Sequence, residues 1–140
     1  MDGEGARRVG GRWNSRGVPV VYCSSTLALA ALEYLVHVDP DNAPNDLLAL
    51  EIEVPDDVPI ESQPQNALPL DWRGVSMSSA CQAIGDEWLA RRTSVGLLVP
   101  SVIIPAEQNL LLNPAHVAMS DVRVVRSNTF SFDPRLLYRI

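Results

Sequence analysis

Residues 19–23 (PVVYC) are β-branched, aromatic or apolar throughout, which predicts a short strand. The apolar spacing then lengthens. Leu27, Ala30, Ala31, Tyr34, Leu35 and Val38 recur at i, i+3, i+4, i+7, i+8 and i+11. An amphipathic helix is therefore expected behind the N-cap candidates Ser24, Ser25 and Thr26, ending near Asp39-Pro40. Glu33 sits to one side of the apolar stripe, and His37 lies one turn further on the same side. Leu48, Leu50, Ile52 and Val54 alternate with Ala49, Glu51 and Glu53, as in a half-buried strand. Residues 55–75 carry four prolines and no period, which reads as an extended surface loop. Ser79-Ala80-Cys81-Gln82 fits a capping box and opens a second helix. That helix carries Cys81, Ile84 and Trp88 on one face and closes near Arg91-Arg92. Short strands are expected at 95–99, 102–104, 110–112, 122–125 and 136–140, with Pro100, Pro105 and Pro114 marking edges or breaks. Two helices among six or seven short strands make an α+β domain.

The chain has 140 residues, the size of one domain, so residues 1–140 are read as a single unit. A net charge of −6 argues against direct nucleic-acid binding, which needs a basic face. All eleven basic residues are arginine. Without lysine there is no Schiff base, no P-loop lysine and no Ser–Lys dyad. For an anionic ligand that leaves the planar guanidinium fork. Cys23 and Cys81 are expected to be free, mostly buried thiols. The first twenty residues lack an apolar signal core, and no apolar run reaches membrane-spanning length, so the cytoplasm is the expected compartment.

His37, His116, Cys23 and Cys81 show no ligand spacing, so no metal site is expected. There is no G-x-S-x-G elbow, and the partial glycine pattern at Gly3 and Gly5 has no strand before it. The block Gly10-Gly11-Arg12-Trp13-Asn14 is more informative. Its glycines permit close backbone approach, and Arg12 can grip a phosphate or carboxylate with both prongs. Tyr22 offers a stacking face and Glu33 a carboxylate. An arginine, an aromatic ring and a glutamate suit a phosphate-bearing ligand whose reaction develops positive charge, although chain order alone does not make them converge.

The stretch GEGARRVGGRWNSRGVPVVYCSSTLALAALEYLVH resembles the opening of a RES domain, and LLVPSVIIPAEQNLLLNPAH resembles its second block, with Ser101 in the serine position. The resemblance implies an ADP-ribosyltransferase-like fold and a toxin that consumes NAD+ as substrate, without a metal. It implies that Arg12 grips the pyrophosphate or adjoining ribose and that Tyr22 packs on the nicotinamide. Glu33 would stabilise the cation-like ribose, and Ser101 would hydrogen-bond in the nicotinamide pocket. It implies a cognate Xre-type antitoxin as partner and, for a transferase, a host metabolic enzyme as target. The acceptor of ADP-ribose stays open between water, phosphate and a protein side chain. Family members have a further strand before the GGRWN block, and here nine residues precede Gly10, so that strand is expected to be missing.

Each residue also allows a plainer role. Arg12 can pair with Glu4, and Tyr22 can be plain core. Glu33 can be a solvated neighbour of His37, and Ser101 a turn serine. A non-catalytic binding module with the same fold is the alternative reading of the whole chain.

Overall fold

The strand expected at 19–23 forms as β1 (Val21–Ser24), and Thr26 then caps α2 (Leu27–Leu35) by accepting a hydrogen bond from the Leu29 amide at 3.1 Å. The computed structural model describes residues 1–76 and 78–138. Ahead of β1, the glycine- and arginine-rich segment contains α1 (Glu4–Val9). Glu4 sits in its first turn and ion-pairs with Arg7 and Arg8. Those contacts hold the Glu4 carboxyl down at about 2.

The remaining elements are β2 (Leu47–Glu53), β3 (Ile60–Ser62), α3 (Ser79–Arg91), β4 (Gly96–Pro100), β5 (Gln108–Leu112), β6 (Arg123–Phe130) and α4 (Pro134–Leu137). They form an α+β fold with a four-stranded mixed sheet in the order β1-β5-β4-β3 and a separate antiparallel ribbon of β2 and β6. The β3–β4 pairing is parallel, and the β1–β5 and β4–β5 pairings are antiparallel. Three-residue 3₁₀ turns at Pro40–Asn42 and Gln65–Ala67 and a five-residue one at Val117–Asp121 link these elements.

Both faces of the mixed sheet are covered. Leu97, Val99 and Leu111 pack with Trp13, Trp72, Cys81, Trp88 and Leu89 on the α3 side. Val95, Leu112 and Val122 pack with Ile52, Val54, Val21 and Cys23 on the ribbon side. Full burial of one such aliphatic side chain contributes ~1.5–3 kcal/mol, so these two layers dominate stability. Cys23 and Cys81 are free thiols. Burial pushes the Cys23 thiol up to about 11.

Several sequence expectations shift. Helix α2 stops at Leu35, and its inward face is centred on the buried Leu29, while Leu27 and Tyr34 are exposed. The periodic stripe therefore misjudged which side meets the sheet, because alanines on both flanks let the helix roll. The N-cap of α3 is Ser78, not Ser79. Gln82 does not close a capping box but reaches the carbonyls of Gly11 and Asn14 at 3.0 and 3.3 Å. The proline-rich loop contributes β3, held by backbone pairing with β4. Residues 102–104 are not a strand, since the Ser101 hydroxyl gathers their amides into a turn. The strand expected at 136–140 is replaced by α4, with Pro134 at its start; Arg139 and Ile140 lie outside the described residues.

One contact is unusually close. A Cβ added at Gly85 in α3 would lie 1.7 Å from the Trp13 carbonyl oxygen. Helix propensity favours alanine over glycine by about 1 kcal/mol, but a backbone oxygen cannot swing aside, so the clash wins. Gly85→Ala is expected to destabilise the chain by about 3 kcal/mol or prevent folding, read from the urea midpoint. For Cys23, the raised thiol keeps the native protein slow to alkylate at pH 8. Iodoacetamide should modify it roughly a hundredfold faster once the chain is unfolded in urea. The same shift removes stability as pH climbs from the unfolded thiol's value, about 8.5, toward about 11, because only the unfolded thiol ionises in that window.

Candidate functional site

Residues 11–14 make a tight reversal in which the Gly11 amide donates to the Asn14 carbonyl at 2.9 Å. Neighbouring side chains in such a turn diverge. Trp13 enters the core at 3% exposure, while Arg12 leaves it. Asn14 is fully buried, and its amide nitrogen donates to the carbonyls of Ala6 and Val18 at 3.0 and 2.9 Å. The Ser15 amide donates to Asp86 of α3 at 2.9 Å. The turn is thus fixed on one side to α1 and on the other to α3.

Arg12 projects toward the 72–74 turn. Its guanidinium donates from Nη1 to the Trp72 carbonyl at 2.8 Å and from Nη2 to the Gly74 carbonyl at 2.9 Å. Those acceptors are neutral, so the positive charge is oriented but not cancelled. Among the described residues no carboxylate ion-pairs with Arg12, and Glu4 is taken by Arg7 and Arg8. The structural ion pair that would make Arg12 a plain loop residue does not form.

Tyr22 ties this turn to the sheet. Its hydroxyl donates to Asn14 Oδ1 at 2.6 Å and accepts from the Trp13 amide at 3.1 Å. Gly11 makes room for it, since a Cβ there would lie 2.6 Å from that hydroxyl. The polar end of Tyr22 is sunk, which pushes its pKa up to about 12, chiefly through desolvation. The residue as a whole is 42% exposed, so part of the ring remains open to a ligand. Tyr22 is therefore neither plain core nor a proton donor at neutral pH.

Glu33 lies one helical turn past Leu29 and so shares the inward side of α2. Its Oε1 accepts from Ser101 Oγ at 2.7 Å and from Asn109 Nδ2 at 2.6 Å. Ser101 is fully buried just after β4 and accepts from the amides of Ile103 and Ile104 at 3.1 and 3.0 Å. The same hydroxyl thus makes the turn and meets Glu33. Ser24 of β1 stands opposite Asn109 of β5 in register and donates to Asn109 Oδ1 at 2.7 Å. Tyr22 and Ser24 alternate onto one face of β1, so the tyrosine and the glutamate network share that side of the sheet.

Glu33 and Ser101 are therefore in direct contact, and Tyr22 joins their side of the sheet to the Arg12 turn. Sequence reasoning missed Asn109 and Ser24. The available signal was an asparagine preceding the run Leu110-Leu111-Leu112 in a strand otherwise made for burial. His37 is exposed beyond the end of α2, and His116 caps the 3₁₀ turn by accepting from the Ala118 amide, so neither enters this cluster. Among the described residues no group of three or more metal-ligating side chains occurs, and no helix is long and apolar enough to cross a membrane.

Comparison with known proteins bears on this arrangement. "Toxin Res" of Yersinia enterocolitica is 41% identical over 135 residues, covering 96% of this chain and 88% of that protein. The "Prs ADP-ribosylating toxin" of a Sphingobium species is 39% identical over 140 residues, covering 98% of this chain and 86% of that protein. A chain in the crystal structure of the M. tuberculosis MbcT–MbcA toxin–antitoxin complex superposes with a TM-score of 0.74. That likeness covers 98% of this chain and 79% of the other at 23% identity, and it speaks to the fold alone. The RES domain family matches residues 1–133, nearly the whole chain, and with relatives this similar along their length the protein belongs to the RES domain family.

Proposed function

We propose that the protein is the toxin of a toxin–antitoxin pair and that it cleaves the nicotinamide–ribose bond of NAD+. The observation that carries this reading is the Glu33–Ser101 contact at 2.7 Å, which brings together an acid and a serine 68 positions apart in the sequence. A carboxylate fixed in a partly buried place is suited to stabilise a sugar cation, because its attraction grows as charge develops at the anomeric carbon. Nicotinamide departs as a neutral molecule, so the step needs neither a general acid nor a metal.

The other residues take roles their surroundings favour. Arg12, with its charge uncancelled and N–H donors to spare, binds the pyrophosphate or adjoining ribose. The open part of the Tyr22 ring stacks on the nicotinamide, while its hydroxyl holds the Arg12 turn in place. Ser101 acts through Glu33 rather than on nicotinamide directly, since its hydroxyl is buried and already shared with Glu33 and two backbone amides. The Sphingobium relative, an ADP-ribosylating toxin, favours transfer of ADP-ribose to a protein, such as a host metabolic enzyme, over water or phosphate as acceptor. A cognate antitoxin of Xre type would restrain the enzyme in the cytoplasm by direct binding; the toxin–antitoxin complex formed by its structural neighbour supports a partner of this kind.

Incubating the pure protein with adenylate-labelled NAD+, with and without cell lysate, tests the reading. Label on one protein band indicates transfer, and released ADP-ribose or its phosphate indicates degradation. No turnover under either condition overturns the enzyme assignment in favour of a non-catalytic module. Glu33→Gln, which keeps size and removes charge, is expected to lower turnover ~100-fold or more with NAD+ binding largely kept, measured by kcat and by titration of NAD+. Arg12→Lys replaces the fork with a point charge and is expected to raise KM for NAD+ about tenfold, the loss of one charge-assisted hydrogen bond. An unchanged KM in Arg12→Lys removes the phosphate-gripping role.

A further inference from the structure

Ser101 accounts for only half of what holds Glu33. The other donor is Asn109, and its orientation is fixed by elimination. An ionised carboxylate has no proton to give, so the asparagine must present its NH₂ to Glu33 and its carbonyl to the other side. On that other side Ser24 Oγ donates to Asn109 Oδ1 at 2.7 Å. Ser101 is oriented in the same manner: it accepts from two backbone amides, so its single hydroxyl proton is directed to Glu33. Both bonds end on Oε1, whereas Oε2 makes no hydrogen bond among the described residues.

We propose that Asn109, with Ser24 behind it, is a positioning residue that together with Ser101 pins Oε1 of Glu33 and leaves Oε2 as the oxygen turned to the reacting ribose. This rests on the reading that Glu33 faces NAD+. The physical gain is rotational. A glutamate side chain has three rotatable bonds, and a carboxylate held by a single donor can still swing about that contact. Donors from two places, β5 and the turn just after β4, fix both its position and its plane, so little reorganisation is left when charge develops on the sugar. The placement also explains a polar pair, Ser24 and Asn109, in register beside the pairs Cys23–Leu110, Tyr22–Leu111 and Val21–Leu112. With its second lone-pair region on Oε1 committed and Oε2 free, the carboxylate keeps its negative charge available on one side only.

The test uses the purified full chain and four variants: Asn109→Leu, Asn109→Asp, Glu33→Gln and the double variant Asn109→Asp/Glu33→Gln. Asn109→Asp sets two carboxylates against each other. In the double variant the new glutamine amide can donate to the new aspartate, which relieves the repulsion and reverses the polarity of that bond, although an NH₂ in the place of Oε1 no longer accepts from Ser101. The denaturation midpoint is therefore expected to fall in Asn109→Asp and to recover in part in the double variant, while turnover stays at or below the Glu33→Gln level. Asn109→Leu is expected to lower kcat about tenfold or more with KM for NAD+ near native, because the ligand's own contacts remain.

No recovery of the midpoint in the double variant overturns the pairing. Recovery together with native kcat in Asn109→Leu overturns positioning while leaving Glu33 in place. A rise in KM with kcat unchanged makes Asn109 a substrate contact instead and also overturns it. Near-native turnover in Glu33→Gln, or absence of NAD+ turnover in the native chain, is the distinct failure of the functional reading itself. The stability cycle then still reports the pairing, but positioning for catalysis is lost with its reaction.

Discussion

The site depends on how closely residues 11–14 approach helix α3. Gly85 lets the Trp13 carbonyl come within what would be a bonded distance of a Cβ, and Gln82 and Asp86 on the same helix hold Gly11, Asn14 and Ser15. With the turn seated there, Trp13 must point inward and Arg12 outward. The buried Asn14 amide group locks the arrangement, since each of its bonds contributes ~1 kcal/mol when made, and a stranded buried donor costs ~1–3 kcal/mol. Any displacement of the turn would leave several such groups unpaired at once, which makes the position of Arg12 close to all-or-none.

The two halves of the site are held by different means. Arg12 is aimed by neutral carbonyls from the 72–74 turn, so its charge is not cancelled. Glu33 is aimed by neutral donors from β5 and from the end of β4, so it too keeps its charge. Had the chain paired the two directly, each would have neutralised the other. Tyr22 spans the interval with its hydroxyl on the Arg12 turn and its backbone in the strand beside Asn109. The arrangement keeps a cation and an anion apart, each with its charge uncancelled, with the partly exposed Tyr22 ring on the side of the sheet that carries Glu33.

The mixed sheet supplies the rigidity. Both faces of β4 and β5 are covered, so Ser101 and Asn109 are delivered by a doubly packed pair of strands. Helix α2 is more lightly held, with Leu29 as its one fully buried residue, and it carries Glu33. The donors therefore sit on the stiff element and the carboxylate on the softer one. That division favours correction of Glu33 by its partners rather than the reverse.

The sequence by itself determined the α+β class, a strand near 19–23, a helix behind the cap candidates Ser24, Ser25 and Thr26, helix α3 and most strands, because period and capping are local properties. It also determined the candidate set of Arg12, Tyr22, Glu33 and Ser101 through the two blocks that carry the family resemblance. Tertiary structure decided what local signals leave open. Two alanines beside Leu29 gave no preferred face, so contact with the sheet chose the roll of α2 and brought Glu33 inward. Strand β3 exists only because β4 pairs with it, and the turn at 102–104 exists because Ser101 needs its amides. Asn109 was invisible as a site residue since its meaning is a register: it stands opposite Ser24, 85 positions away, and only strand pairing sets such distances to hydrogen-bond length.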